Sequence, residues 1–128
     1  MKLSEYFENT AGLAVLATAD AQGKVDVAIY ARPHFIDEET CAFIMADRLT
    51  HKNLQSNPHA AYLFVESKKH YVGKRLFLTK SKEEKDSPLI DRLRRKKYPV
   101  GCEEENKEAR FLVYFHVDQV LPLIGTKE

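Results

Sequence analysis

Six apolar runs of strand length, joined mostly by short polar turns, constrain this chain more than any other feature of its sequence. They fall at residues 13–18, 25–30, 41–46, 60–66, 74–80 and 110–120. The first, Leu13-Ala14-Val15-Leu16-Ala17-Thr18, is continuously apolar, as expected of a strand buried on both faces. The second alternates Val25, Val27 and Ile29 with Asp26, Ala28 and Tyr30, the period of a strand with one core face. Between them, Asp20-Ala21-Gln22-Gly23 places Gly where a turn needs positive φ. Arg32-Pro33 interrupts the pairing, because proline has no N–H to donate, and His34-Phe35-Ile36 resumes an extended path. Helices are few. One spans residues 3–9, with Ser4 as a possible cap, and one spans 50–57. A third opens at Ser87-Pro88, with Ser as N-cap and Pro at N1, and stops at Tyr98-Pro99. Residues 82–86 read as a charged, exposed link and 101–108 as an acidic loop. Hairpin-like spacing with few helices predicts a mainly β fold, a closed antiparallel barrel of six strands. A Rossmann sheet needs helices between parallel strands, and no G-x-G-x-x-G occurs here.

The 128 residues suit one domain, and the 44% hydrophobic content supplies a core for it. Twenty basic and nineteen acidic residues leave a net charge of +1, which argues against a general nucleic-acid or membrane-surface binder. Cys41 and Cys102 form no Cys-x-x-Cys pair, which suits a reducing cytoplasm and offers no zinc signature. The N-terminal residues have no apolar h-region, and no apolar run approaches the length of a membrane span.

Chemistry concentrates in Leu49-Thr50-His51-Lys52-Asn53-Leu54, directly after the third strand. Thr50 has the side chain of a good N-cap, and Leu49 and Leu54 then stand at N′ and N4, the spacing of a hydrophobic staple. Asn57-Pro58 stops the helix, since the residue before proline is pushed out of the α region. The first N–H groups of a helix lack intrahelical partners and carry partial positive charge, so they form a ready anion site. His51 and Lys52 work against that dipole, and a phosphate at the helix start would explain both. A solvated Lys52 and an unrelated His51 beside a well-capped helix is the other reading, and six residues do not separate the two.

Other candidates read more plainly. Arg92, Arg94, Arg95, Lys96 and Lys97 crowd the end of the third helix, where cations suit the dipole and solvent. His116, in an apolar strand, reads as a satisfied core or interface histidine, with no second metal ligand at suitable spacing. His34 and His70 lie near turns, as surface residues or at a ligand's edge. Cys41 starts a buried strand and reads as a small hydrophobe. No Ser-His-Asp arrangement is present.

Three stretches taken together are more specific. They are the hairpin from Gly12 to Tyr30; Phe43-Ile44-Met45-Ala46 followed by Thr50-His51-Lys52-Asn53-Leu54, Asn57-Pro58 and an apolar strand; and Gly73-Lys74-Arg75-Leu76. In this order the chain resembles the pyridoxamine 5′-phosphate oxidase-related FMN-binding split-barrel family. The resemblance implies a single six-stranded split barrel over residues 1–128, a homodimer with FMN at the subunit interface. It implies that Thr50, His51 and Lys52 hold the phosphate. Ala28, Ile29, Tyr30, Ala31 and Arg32 would face the ribityl phosphate and flavin, Met45 and Ala46 would lie along the isoalloxazine, and Arg75 would meet the flavin edge. Dimerisation is also expected from two strand faces, Tyr62/Phe64 and Phe111/Val113/Phe115, that read as too apolar for one small barrel to hide. The family's substrate signature, an Arg and a His near the end of a longer chain, has no counterpart in Leu121-Pro122-Leu123-Ile124-Gly125, so oxidation of pyridoxamine 5′-phosphate does not carry over. His51 and Met45 stand where the family more often has Arg and Tyr. The expected function is that of a flavin-dependent oxidoreductase with an unassigned small-molecule substrate or redox partner. The alternative is a non-catalytic carrier or sensor holding flavin, haem or a deazaflavin.

Overall fold

The computed structural model describes residues 2–93 and 109–125 of the chain. In chain order the elements are α1 (Leu3–Asn9), β1 (Gly12–Ala19), β2 (Val25–Ile29), β3 (His34–Asp37), β4 (Thr40–Ala46), α2 (Leu49–Ser56), β5 (His59–Glu66), β6 (Gly73–Lys85), α3 (Leu89–Leu93) and β7 (Arg110–Pro122). The strands form one sheet in the order β2-β1-β5-β6-β7-β4-β3, and every neighbouring pair is antiparallel. Among the described residues no pairing joins β2 to β3, so the sheet does not close. It nevertheless encloses one core. Ala14 and Leu16 of β1 share a cluster with Cys41, Phe43 and Met45 of β4, from near the other edge of the sheet.

Two strand assignments differ from the sequence reading. The expected barrel of six strands is an open sheet of seven, because His34–Asp37 is a strand of its own, paired with β4 after the break at Pro33. The fifth expected strand also runs on through the residues read as an exposed link. Lys82, Glu83, Glu84 and Lys85 pair with Tyr114, Val113, Leu112 and Phe111 of β7. Irregularities in register at Phe77/Leu78 and Lys80/Lys82 bend this long strand. Its charges are tolerated there because they are paired: Glu83 with Lys80, and Glu84 with Lys82 and with the Tyr114 hydroxyl.

Helices close the ends. α1 docks through Phe7, its one fully buried side chain, whose ring meets Tyr6, Phe35, Tyr62 and Phe64. Ser4 does not cap it, since the N-cap residue is Lys2. α3 begins as expected, with the Ser87 hydroxyl accepting from the Leu89 N–H at 3.2 Å. It covers the outer side of β4 and β7, where Ile90 packs with Ala42, Leu112 and Tyr114. Residues 94–97 of the expected basic helix, its stop at Tyr98-Pro99, Cys102 and the acidic loop at 101–108 lie outside the described residues.

The faces expected to drive dimerisation are hidden within one chain. Tyr62, Phe64, Phe111, Val113 and Phe115 are all buried core residues, because the curled sheet folds its two ends around them. The exposed apolar face is the opposite one. Val25, Val27 and Ile29 of the edge strand β2 pair with Ala19, Ala17 and Val15 of β1, and Ala17 and Val15 pair in turn with Ala61 and Leu63 of β5. Residues paired across strands share a face. Ile29 and Val27 are 67% and 61% exposed, and Leu13 on the same face is 61% exposed, so β1 is not buried on both faces as expected and the apolar side of β2 is not its core face.

Candidate functional site

α2 starts two residues beyond β4. The Arg48 N–H bonds to the Ala46 carbonyl at 2.9 Å, which turns the chain sharply into the helix. The first intrahelical bond runs from the Lys52 N–H to the Arg48 carbonyl at 2.9 Å. The N–H groups of Leu49, Thr50 and His51 therefore precede the helical ladder and have no acceptor within it. The helix begins one residue earlier than its sequence suggests. Arg48 is the N-cap residue, without a capping side-chain bond, and Thr50 is the second helical residue. Thr50 is buried and bonds to Tyr30 instead, so the cap expected of it is not made. The expected staple is absent too, since Leu49 is exposed while Leu54 is buried.

Side chains on the inner side of α2 fix its place. The Asn53 amide donates to the Thr18 hydroxyl of β1 at 3.0 Å, and both residues are buried. At the other end the Asn57 amide reaches the Asp20 carbonyl at 3.4 Å, in the turn between β1 and β2. In that turn the Asp20 carboxylate accepts from the Gln22 and Lys24 N–H groups and Gly23 takes φ +86°, as its sequence predicts. Tyr30 stands between the two elements, edge-on to Phe43. Burial pushes its phenol above the usual tyrosine range, with Asp26 adding to the rise and the Thr50 hydrogen bond opposing it.

His51 is not a free cation at the helix start. Its ring is buried and stacked on Phe111 of β7, with ring centres 3.8 Å apart. Nδ1 lies 2.9 Å from Asp47 Oδ1, and Nε2 lies 2.9 Å from Glu83 Oε2 on β6. Glu83 also accepts from the Gln55 amide at 2.8 Å and from Lys80 at 2.6 Å. Burial pushes the Glu83 carboxyl up, but the bonds from Lys80, Gln55 and His51 outweigh it and hold the group at about 2. Lys52, one residue on, is exposed. Asp47, Arg48, Leu49, His51, Lys52 and Gln55 line a surface cleft of about 570 Å³.

The other candidates divide. Tyr30 and Thr50 meet, and Ala46 leads directly into the site. Met45 turns its side chain into the core, 2% exposed, and Ala28 lies opposite Leu16 of β1. Ile29 points outward, and the carbonyl of Ala31 accepts from the Tyr62 hydroxyl at 2.9 Å. Arg32 donates to the carbonyls of Phe7, Glu8 and Thr10, where it ties down the end of α1. Arg75 donates to the carbonyls of Pro122 and Gly125 beyond β7. Neither arginine is brought to the start of α2 within this chain. Asp47, Gln55 and Glu83 were not singled out in the sequence. His51 and Gln55 are four apart on one face of α2, and Asp47, four before His51, lies just ahead of the helix. Glu83 carried no such signal, because its strand looked finished at Lys80.

His116 is not a core residue. Its ring is half-exposed, 2.8 Å from Asp118 and 3.5 Å from Glu39, and the Asp118 bond raises its affinity for a proton. Burial pushes the Cys41 thiol up to about 12, consistent with an inert core residue. His34 opens β3 half-buried, and His70 is exposed in the loop before β6. Among the described residues no group of three or more His, Cys, Asp or Glu side chains is placed to hold a metal ion, and no helix is long and apolar enough to cross a membrane.

No family model matches the sequence, and no curated protein does. Solved structures do. An FMN-binding protein from Syntrophomonas wolfei subsp. wolfei superposes with a TM-score of 0.71 at 18% identity, over 98% of this chain and 86% of that one. An F420 reductase gives 0.69 at 15% identity, over 94% of this chain and 97% of that one. A protein related to general stress protein 26, of the pyridoxinephosphate oxidase family, from Clostridium acetobutylicum gives 0.62 at 15% identity, over 97% and 87%. The chain has the fold of these proteins. The resemblance carried by the hairpin, the helix start and Gly73-Lys74-Arg75-Leu76 is thus matched by the structural neighbours.

Proposed function

We propose that the protein binds FMN, with its phosphate at the start of α2, and works as a homodimeric flavin-dependent redox protein. The observation that carries this is the helix start itself. Three N–H groups without intrahelical acceptors open beside an exposed Lys52, at a cleft of about 570 Å³. That volume lies within the range of small-molecule sites. The donor set fits a phosphate, since backbone N–H groups, the helix dipole and a lysine all favour an anion. When bound, the flavin supplies the electron chemistry, and the protein supplies binding, orientation and electrostatics. Likeness of fold to an FMN-binding protein supports the same cofactor.

A second copy of the chain is the proposed partner. An edge strand whose outward side chains are Val25, Val27 and Ile29 is a surface that soluble proteins normally cover or charge. A twofold dimer would bury this face, and the expected interface site would draw on both copies.

Likeness to the F420 reductase supports a second reading, with a deazaflavin in place of FMN. The absorbance spectrum of the purified protein, and of apoprotein titrated with FMN, decides between them. Uptake of FMN with a flavin spectrum is expected, and a haem spectrum or no uptake overturns the proposal. Reduction by NAD(P)H or dithionite, then reoxidation by candidate acceptors, separates an enzyme from a carrier.

A further inference from the structure

A phosphate at the start of α2 would meet two carboxylates, Asp47 at the rim of the cleft and Glu83 behind it. Bare carboxylates repel a phosphate. We propose that His51 is a positioning residue, which holds Asp47 and Glu83 and so keeps the start of α2 ready for phosphate without touching it. The proposal rests on the phosphate reading given above.

Carboxylate oxygens only accept hydrogen bonds, so a ring bonded to two of them donates from both nitrogens, as only the protonated ring can. A neutral ring with Nε2–H on Glu83 would press the Nδ1 lone pair against Asp47 Oδ1 at 2.9 Å, and the other tautomer would have Nδ1–H on Asp47 and Nε2 accepting from the Gln55 amide, 3.1 Å away. That tautomer would also press the Nε2 lone pair against Glu83 Oε2 at 2.9 Å, two acceptors in contact. Gln55 has other acceptors, Glu83 Oε1 at 2.8 Å and the His51 carbonyl at 3.1 Å.

The surroundings show what the charge does. Asp47 faces the ring from the β4–α2 link, and Glu83 faces it from β6 with Lys80 behind it. From β7 the uncharged ring of Phe111 stacks on it. A protonated His51 offsets one of the two carboxylates and Lys80 the other, while Arg48 and Lys52 line the cleft beside them.

The same bonds brace the helix. Glu83 reaches His51 and Gln55, one turn apart on α2, and thereby ties the helix to β6. α2 has eight residues, too few to hold a helix by itself. The N–H groups at its start, which have no acceptor within the helix, keep their direction because the side chains around them are tied to the sheet.

The test combines ring-nitrogen NMR with titrations of FMN and of riboflavin, which lacks the phosphate. In the ligand-free protein His51 is expected to carry protons on both nitrogens, as bonds to two carboxylates require, and to keep both when FMN is added. Glu83→Gln is expected to weaken FMN about tenfold and riboflavin less than about twofold, with part of the loss recovered in Glu83→Asp. A single ring proton on His51, or ring nitrogens that respond to FMN as direct ligands, overturns the proposal. That measurement needs no variant to fold. If Lys52→Met weakens FMN selectively while Glu83→Gln affects both ligands alike, the phosphate site stands and the positioning role falls. If neither variant separates FMN from riboflavin, the phosphate site falls and the positioning role with it.

Discussion

Tyr30 and Thr50 share a hydrogen bond between the end of β2 and the first turn of α2. The bond spans the side on which the sheet stays open, so the helix and not a further strand pair covers that side of the core. Leu54 on α2 joins the same cluster as Phe43, and the Tyr30 ring packs against it. Thr50 is used here as a tertiary anchor, which explains why it does not serve as the cap.

Tyr30→Phe keeps the ring against Phe43 and removes only the hydroxyl. It leaves the buried Thr50 hydroxyl without this partner. The expected loss is about 1–3 kcal/mol of stability, the range for leaving a buried polar group unsatisfied. Urea unfolding checks it, and a loss near zero would mean that the bond does not anchor the helix.

Lys52 is the fourth residue of α2 and its charge opposes the helix dipole, so helix stability does not account for it. A charge-assisted hydrogen bond to phosphate contributes about 1.5–3 kcal/mol. Lys52→Met should therefore weaken FMN by about one to two orders of magnitude and riboflavin far less. Melting temperature should stay level or rise slightly. Equal weakening of both ligands would take Lys52 out of the phosphate site.

Period and turn chemistry made most of the strands legible. Val25, Val27 and Ile29 alternate with Asp26, Ala28 and Tyr30, but they face outward and not into the core, while Asp20 and Gly23 build the expected turn. The misses share a cause, since each depends on a partner distant in sequence. Lys82 to Lys85 look like a solvated link until β7 lies beside them. Thr50 looks like a cap until Tyr30 arrives. His51 was legible as a special residue, but its bond to Glu83 was not, because it spans 32 positions. Tyr62 and Phe64 were read correctly as apolar, yet sequence does not say which of two apolar faces a curled sheet turns inward.

The Glu83 carboxyl, held at about 2 by Lys80, Gln55 and His51 against the opposing effect of burial, implies an acid limb of stability. A carboxyl whose folded value lies below its unfolded value stabilises the fold above the unfolded value, about 4.3 for Glu. That contribution is lost as pH falls from there towards about 2. Glu83→Gln should flatten this limb, and thermal melts of both proteins between about pH 5 and about pH 2 would show it. Parallel pH profiles would mean that Glu83 is not the group responsible.

The apolar outer face gives the last prediction. Val27 is 61% exposed at the centre of β2, so a charge there costs the isolated chain little, within about 0.5 kcal/mol. In a dimer formed through this face the same charge would be buried without a partner, at a cost of several kcal/mol per ion. Sedimentation at micromolar concentration should give a dimer for the unaltered chain and a monomer for Val27→Lys, with nearly unchanged unfolding of the monomer. Phe115→Ala separates the two faces of the sheet. Phe115 is fully buried within one chain, so its truncation should cost about 3–5 kcal/mol of folding stability in any oligomeric state. A monomeric unaltered chain, or a Val27→Lys dimer as tight as the original, would move the interface away from β2.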